Sequence, residues 1–350
     1  MKILIDINHP AHVHYFRNFY RIMKAKGHEI LVVSRNKEIE HQLLNYYGIP
    51  FVSRGKGKDG KIGKFLYLIY ANWILLKISR KFKPDLFLNF LHPYPSHVSR
   101  ILGKTSFVFS DTEHAKLHHK LTVPFATKIF TPSCYRVDLG PKHVRFESFM
   151  ELAYLHPNYF KPNPEIRDFL KVSKDEKYVI LRFVSWEAAH DFGHAGMSLE
   201  NKRKVVNLLA SYAKVFISSE RALPEDLEKY RIQIPVQKMH DCIKYATLLF
   251  GESATMASEA AVLGTPSIFM DNDGRGYTDE EEKKFGLVFN YSESVEDQEK
   301  AIQKALEIVN DPMSKNIFIE KKNDMLLTKI DTTAFMITSV EDHFSKESKV

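Results

Sequence analysis

The strongest constraint on this chain is an alternation of short apolar runs with helix-period stretches. The runs KILIDI (2–7), EILVVS (29–34), DLFLNF (85–90), SFVFS (106–110) and KIFTP (128–132) each have the length and β-branched or aromatic content of a buried strand. Between the first two lies HVHYFRNFYRIMKAKG, in which Val13, Phe16, Phe19, Tyr20 and Met23 recur at helical spacing and end at Gly27. Strand, helix, strand with near-continuous apolar strands requires a parallel sheet covered on both faces.

The second half repeats the plan. YVILRFVS (178–185), KVFISS (214–219), TLLFGE (247–252), PSIFM (266–270) and LVFNY (287–291) alternate with helical patterns near 198–213, 239–246, 254–263 and 297–310. A chain of 350 residues exceeds what one hydrophobic core comfortably serves. Pro157, Pro162 and Pro164 in HPNYFKPNPEI suit a linker. The expected fold is α/β: two doubly wound, Rossmann-like domains facing one another across a cleft. Residues 1–155 form the first domain, 156–166 the linker, 167–328 the second domain and 329–350 a C-terminal helix and tail. In such sheets ligands bind beyond the carboxyl ends of the strands.

Charge is unevenly shared. Residues 1–150 hold 24 Lys and Arg against 10 Asp and Glu, whereas the remainder holds 26 against 33. The first half therefore seeks an anionic partner, or else carries a solvated basic face. No recognisable RNA or DNA motif accompanies this charge, which argues against nucleic acid. Two distant cysteines give neither a disulfide framework nor metal-ligand spacing, and fit a cytoplasmic setting. The start reads as a buried strand, not a signal peptide. FLYLIYANWILLKI (65–78) is too short for a bilayer span, which takes roughly 20 residues, and reads first as a buried core helix. Together with the basic charge it also suits a lipid-linked or anionic polysaccharide acceptor, and the basic half suits peripheral contact with the inner face of a membrane.

The most informative stretch is GESATMASEAAVLGTP (251–266). Ser253 or Thr255 caps a helix that Gly264 and Pro266 stop. The first turn, at Ser253, Ala254 and Thr255, offers unpaired N–H groups to a phosphate. Glu259 sits among Met256, Val262 and Leu263, so its carboxylate needs a partner. A ribose diol is one candidate; a structural ion pair or solvent is the other.

This stretch is similar to the nucleotide-binding motif of GT-B glycosyltransferases, in which a small-residue loop precedes a helix bearing a glutamate and then A-x-x-x-G-x-P. It resembles the lipid-linked N-acetylglucosaminyltransferase of peptidoglycan synthesis. Ser253, Glu259, Ala260, Leu263, Gly264 and Pro266 also match the spacing in UDP-N-acetylglucosamine 2-epimerases. The resemblance implies that Glu259 holds the ribose of UDP. More widely, DINHPAHVHYF, DTEHAKLHHKLTVPFA, ELAYLHPN, RFVSWEAAHDFGHAG and GESATMASEAAVLGTP together resemble an archaeal and bacterial family of unknown function related to GT-B enzymes, over residues 1–330.

Within that resemblance AHV (11–13) aligns with the glycine-histidine-valine loop that faces the donor sugar, which makes His12, with His14 close behind, a catalytic or sugar-contacting group. A neutral imidazole suits a general base; a helix-capping histidine cluster is the alternative, and Asn8 is also able to cap this helix. His9, His12 and His14 are spaced like metal ligands, but His12 and His14 are two apart and cannot share a helix face, and no nearby Cys or acidic pair completes a set, so no metal site is expected. SDTEHA (110–115) presents Asp111, Glu113 and His114 after a strand, and Glu113 partly matches the histidine-x-glutamate-alanine motif of the epimerases. In RFVSWEAAHDFGHAG, Arg182 must find an anion inside a buried strand, and a diphosphate or a carboxylate would serve; Ser185 lies beside it. MHD (239–241) resembles the segment lining the nucleobase in GT-B proteins. GKGKDG (55–60) reads as a mobile basic loop, DND (271–273) as a turn, and GRGYTDEEEKK as a flexible, acceptor-side or interdomain loop.

The resemblance implies a metal-independent GT-B glycosyltransferase of polysaccharide biosynthesis. It would use a UDP-sugar as donor, need no cofactor, and act on a glycan, lipid-linked or polysaccharide acceptor. Arg182, Ser185, Ser253, Ala254, Thr255 and Glu259 would hold the nucleotide sugar, with His12, His14, Glu113 and His114 on the catalytic side. A non-hydrolysing 2-epimerase, a metal-dependent hydrolase and a non-catalytic binder of anionic polymers are the alternatives. RFVSWEAAHD lacks the histidine-arginine signature expected of the epimerase.

Overall fold

The structure is a computed structural model that describes residues 1–57, 60–183, 196–219 and 222–347. The chain divides into two compact units: Met1–Tyr159 with Ile330–Val350, and Phe160–Lys329. The first runs β1 (Lys2–Ile7), α1 (Pro10–Ala25), β2 (Glu29–Ser34), α2 (Glu38–Tyr46), β3 (Phe51–Ser53), α3 (Gly60–Phe82), β4 (Leu86–Phe90), α4 (Pro93–Leu102), β5 (Thr105–Phe109), α5 (Lys116–Thr122), β6 (Lys128–Pro132), β7 (His143–Phe146) and α6 (Leu152–Leu155). The second runs α7 (Ile166–Leu170), β8 (Tyr178–Arg182), α8 (Leu199–Leu209), β9 (Lys214–Ser218), α9 (Met239–Tyr245), β10 (Leu248–Gly251), α10 (Ala254–Leu263), β11 (Ser267–Met270), α11 (Gly276–Lys283), β12 (Val288–Tyr291), α12 (Val295–Asn310) and α13 (Ser314–Thr328). The last helix, α14 (Thr332–Glu347), belongs to the first unit, where it packs on α1 and α6.

Among the described residues the first unit builds a seven-stranded sheet in the order β3-β2-β1-β4-β5-β6-β7, parallel throughout. The second builds a parallel five-stranded sheet in the order β12-β11-β10-β8-β9. The strands predicted from apolar runs are the buried ones, as in β1, where Ile3, Leu4 and Ile5 are fully enclosed. Val13, Phe16, Phe19 and Met23 form the inner face of α1, as their spacing predicts. The strand order reverses about β1/β4 in one sheet and about β8/β10 in the other, and such switch points open a crevice at the carboxyl ends of the strands.

Four local expectations need correction. The sheet edges β3 and β7 were not predicted, because three or four residues with half-exposed side chains leave no apolar run to read. The cap of α1 is not Asn8 but His9, one of the histidines that the capping alternative allows; its ring accepts the Ala11 N–H at 3.2 Å, with Pro10 at the first helical position. The supposed flexible loop after Gly274 contains helix α11, whose Tyr277, Thr278 and Glu281 are buried; Glu281 is held by the Ser258 hydroxyl at 2.5 Å. α3 is only half core: Tyr67, Ala71, Leu75 and Ser79 are buried, while Trp73 is 58% exposed.

Candidate functional site

In the second unit the candidate site gathers at the β8/β10 switch point. Gly251 ends β10 so close to β8 that a Cβ there would meet the Arg182 carbonyl oxygen at 2.1 Å, a contact only glycine permits. The Arg182 carbonyl accepts the Glu252 N–H at 2.9 Å, and its guanidinium reaches the Ser218 carbonyl at the end of β9 at 3.3 Å. Arg182 is half-buried at the strand end, where Ser218 accepts from it. Glu252 accepts the Met197 N–H at 2.9 Å and lies 3.3 Å from Lys202 Nζ, which anchors the segment entering α8.

Helix α10 starts immediately beyond. Ser253 caps it by accepting the Met256 N–H, and Gly264 closes it in the left-handed conformation at φ 78°. The first-turn amides of half-buried Ala254 and Thr255 have no carbonyl partner inside the helix and carry the positive end of its dipole. Glu259, one turn further on, is 6% exposed, and its Oε1 lies 2.9 Å from Nε2 of His240 at the start of α9. Because α9 runs back toward the amino end of β10, its first turn lies on the same side of the sheet as the start of α10. His240 also meets the Phe160 ring edge-on at 6.2 Å. Of the partners that the sequence left open for Glu259, the structure supplies a structural one, a histidine in hydrogen-bond contact. The predicted site residues Arg182, Ser253, Ala254, Thr255 and Glu259 come together at one sheet end; Ser185 lies outside the described residues, as do His190, Asp191 and His194.

In the first unit the β1/β4 switch point carries a second cluster. Asp6 and Asn89 are register partners on adjacent strands. The wholly buried Arg54 donates from Nε to Asp6 Oδ1 at 2.9 Å, from one terminal nitrogen to Asn8 Oδ1 at 2.9 Å and from the other to the Tyr67 hydroxyl at 2.7 Å. Its guanidinium also lies 4.8 Å from the centre of the Tyr94 ring. Burial works against the guanidinium charge, but the Asp6 carboxylate beside it prevails and holds its pKa above the ordinary range.

Beside this network His12 and His92 face each other with ring centres 5.3 Å apart, 6% and 8% exposed. Burial holds both imidazoles well below 6.5, with His9 and Arg54 adding repulsion at both and His12 adding it at His92, so both are neutral at pH 7. The hydrogen-bond pattern places their protons. His12 Nδ1 accepts the Asn8 backbone N–H at 3.4 Å, and the Asn8 side-chain amide, whose oxygen is taken by Arg54, faces His92 Nδ1 at 3.4 Å. Each ring then bears its proton on Nε2 and presents an N–H donor. His92 Nε2 and Asn89 Nδ2 are buried donors with no protein acceptor.

The other predicted catalytic residues separate. His14 points away from His12: it stacks on Tyr154 at 5.2 Å, and its Nδ1 contacts Arg17 at 3.1 Å. Asp111 is buried against the Tyr15 and Thr112 hydroxyls, Glu113 is half-buried and accepts the Arg136 N–H at 3.4 Å, and His114 is exposed. Among the described residues no three His, Cys, Asp or Glu side chains are grouped to hold a metal ion. Sequence reasoning missed Arg54 and His92. Arg54 follows an unpredicted edge strand, and His92 follows β4 with no helical or alternating pattern, although its place right after a predicted strand was a usable signal.

Two parallel, doubly wound units with their polar clusters at the switch points define the class: this is a GT-B architecture, with two Rossmann-like domains. Solved structures of similar fold include S. aureus MnaA with UDP (TM-score 0.72, 13% identity, 98% of this chain and 97% of that one). They include also the UDP-GlcNAc 2-epimerase from Methanocaldococcus jannaschii (0.69, 14%, 98% and 100%) and the spinosyn forosaminyltransferase SpnP (0.68, 12%, 99% and 99%). At these identities the likeness is one of fold. By sequence the chain belongs to DUF354, a family of proteins of unknown function, which it matches over residues 1–336. An uncharacterized protein of Methanocaldococcus jannaschii is 23% identical over 280 residues, 77% of this chain and 81% of that one.

Proposed function

We propose that this protein is a glycosyltransferase that moves a sugar from a UDP-sugar to a glycan, lipid-linked or polysaccharide acceptor. The observation that carries the reading is the juxtaposition at the β8/β10 switch point of a capped small-residue helix start with a buried carboxylate held by His240. The tip of α10 takes the diphosphate on the Ala254 and Thr255 amides, with Ser185 and Arg182 on the phosphate side. His240 fixes one oxygen of Glu259, and the carboxylate accepts the ribose hydroxyls.

As the bond from the anomeric carbon to the diphosphate oxygen breaks, its electron pair goes to that oxygen, whose charge the helix dipole and Arg182 stabilise without a required metal. The acceptor oxygen forms the new bond and gives up its proton. The Nε2–H tautomers of His12 and His92 suit them to hold sugar or acceptor oxygens as donors, and not to take that proton. The half-buried carboxylate of Glu113 is then the base, with His14 and His114 outside the reacting groups. This reading places the protein in polysaccharide biosynthesis in the cytoplasm.

Calorimetric titration with a panel of nucleotides and nucleotide sugars tests the donor, with UDP and UDP-sugars expected to bind. Glu259→Ala is expected to weaken UDP roughly tenfold to hundredfold, the worth of hydrogen bonds to a charged group; unchanged affinity would remove the nucleotide-site assignment. Product analysis then separates sugar transfer from conversion of UDP-GlcNAc into its 2-epimer, the reaction named for several neighbours of the fold.

A further inference from the structure

Helix α3 presents an apolar ridge to solvent. Leu66, Ile69, Tyr70 and Trp73 are 48, 55, 43 and 58% exposed, and their spacing of three, four and seven residues places them on one face. The opposite face, Tyr67, Ala71, Leu75 and Ser79, is fixed in the unit, where Leu75 packs with Leu4, Val33, Phe87 and Val98. The exposed ridge therefore cannot turn inward without extracting the buried one. Farther along, the same solvent-facing side turns basic at Lys77, Arg80 and Lys81, all exposed, and Lys77 Nζ lies 5.8 Å from the centre of the Trp73 ring. The helix sequence holds five Lys and Arg and no Asp or Glu.

We propose that this face of α3 docks the protein on an anionic lipid bilayer. Contiguous exposed apolar side chains signal an interaction surface. The chemistry here selects lipid among possible partners: Trp and Tyr rings seat at the headgroup level, aliphatic side chains reach the acyl boundary, and adjoining cations meet the negative surface. No helix among the described residues is long and apolar enough to cross a membrane, so contact through α3 would be peripheral. The inference deepens the acceptor side of the proposed function and rests on that reading for its purpose: an enzyme docked in this way would meet a lipid-carried acceptor where it resides.

The test is co-sedimentation of the full chain with vesicles of phosphatidylglycerol and phosphatidylcholine, and with phosphatidylcholine alone, at low and high salt. Binding is expected only to the anionic vesicles and to weaken with salt. Two variants, Ile69→Ser with Trp73→Ser, and Lys77→Glu with Arg80→Glu and Lys81→Glu, are each expected to lower the partition coefficient about tenfold or more. Both should retain the UDP affinity of the parent, which scores vesicle binding separately from the nucleotide site. In a Trp186→Phe background, Trp73 emission is expected to shift to the blue on vesicle addition. Absence of binding to the anionic vesicles, or binding indifferent to both variants, overturns the proposal. So does concentration-dependent self-association that Trp73→Ser abolishes while vesicles leave Trp73 emission unmoved, since the occupant is then a second copy of the chain.

Discussion

His240 Nε2 lies 2.9 Å from Glu259 Oε1, joining the first turn of α9 to the middle of α10 across a site that excludes nearly all water. A buried carboxylate is costly unless its oxygens are satisfied, so the imidazole both stabilises Glu259 and fixes its rotamer. His240→Phe keeps an aromatic ring beside Phe160 but deletes the donor. UDP affinity is expected to fall about tenfold in calorimetry, with His240→Gln milder because its amide can still donate. Equal affinity in all three proteins would make the pair purely structural.

A second outcome separates donor from base at His12. A base must offer a lone pair, whereas the Asn8 contact leaves His12 an Nε2–H. His12→Gln, which keeps an N–H, is expected to retain most of kcat/KM, and His12→Phe to lose roughly tenfold to hundredfold. Burial also keeps the imidazole neutral through the range in which a free histidine titrates, so the pH profile is expected to carry no acid limb near 6.5. An inactive His12→Gln together with such a limb would restore the base assignment.

What was legible in the sequence follows from which interactions are local. Buried strands such as β1 and β10 announce themselves because both faces must be apolar, and α10 announces its ends through Ser253 and Gly264. The His240–Glu259 pair spans 19 residues and Arg54–Asp6 spans 48, and no periodicity links such partners. The same limit hid the exposure of α3: an all-round apolar helix pattern does not say which face the sheet will cover. Asn8 shows the converse error. It has the chemistry of a cap, but Arg54 takes its side-chain oxygen, its amide nitrogen faces His92, and His9 takes the capping place.

The Arg54–Asp6 pair gives a stability outcome. Both side chains are wholly buried, and loss of one partner leaves the other charge uncompensated. Arg54→Met is expected to destabilise the first unit by about 3–5 kcal/mol. Replacing both, as Asp6→Leu with Arg54→Met, is expected to recover most of that loss. Urea unfolding followed by Trp73 fluorescence, in a Trp186→Phe background, measures both.

Glu281 gives a pH dependence of definite sign. It is enclosed between α11 and α10, where Ser258 donates to Oε1 while Oε2 has no partner, and burial pushes its carboxyl up from 4.5 to about 8. Below about 8 the folded protein keeps this group neutral, whereas the unfolded chain ionises it above 4.5. Folding then takes up a proton across that window, so the stability of the second unit falls as pH rises from 4.5 to about 8, by a few kcal/mol in all. Lys244, pushed down by burial to about 8, acts in the opposite sense and only above that pH, so it does not mask the slope. Glu281→Gln keeps the shape and an acceptor for Ser258 but cannot ionise. Urea midpoints are expected to decline from pH 6 to 8 in the parent, in the window the raised pKa defines, and to stay level in the variant. An equal decline in both would locate the titrating group elsewhere.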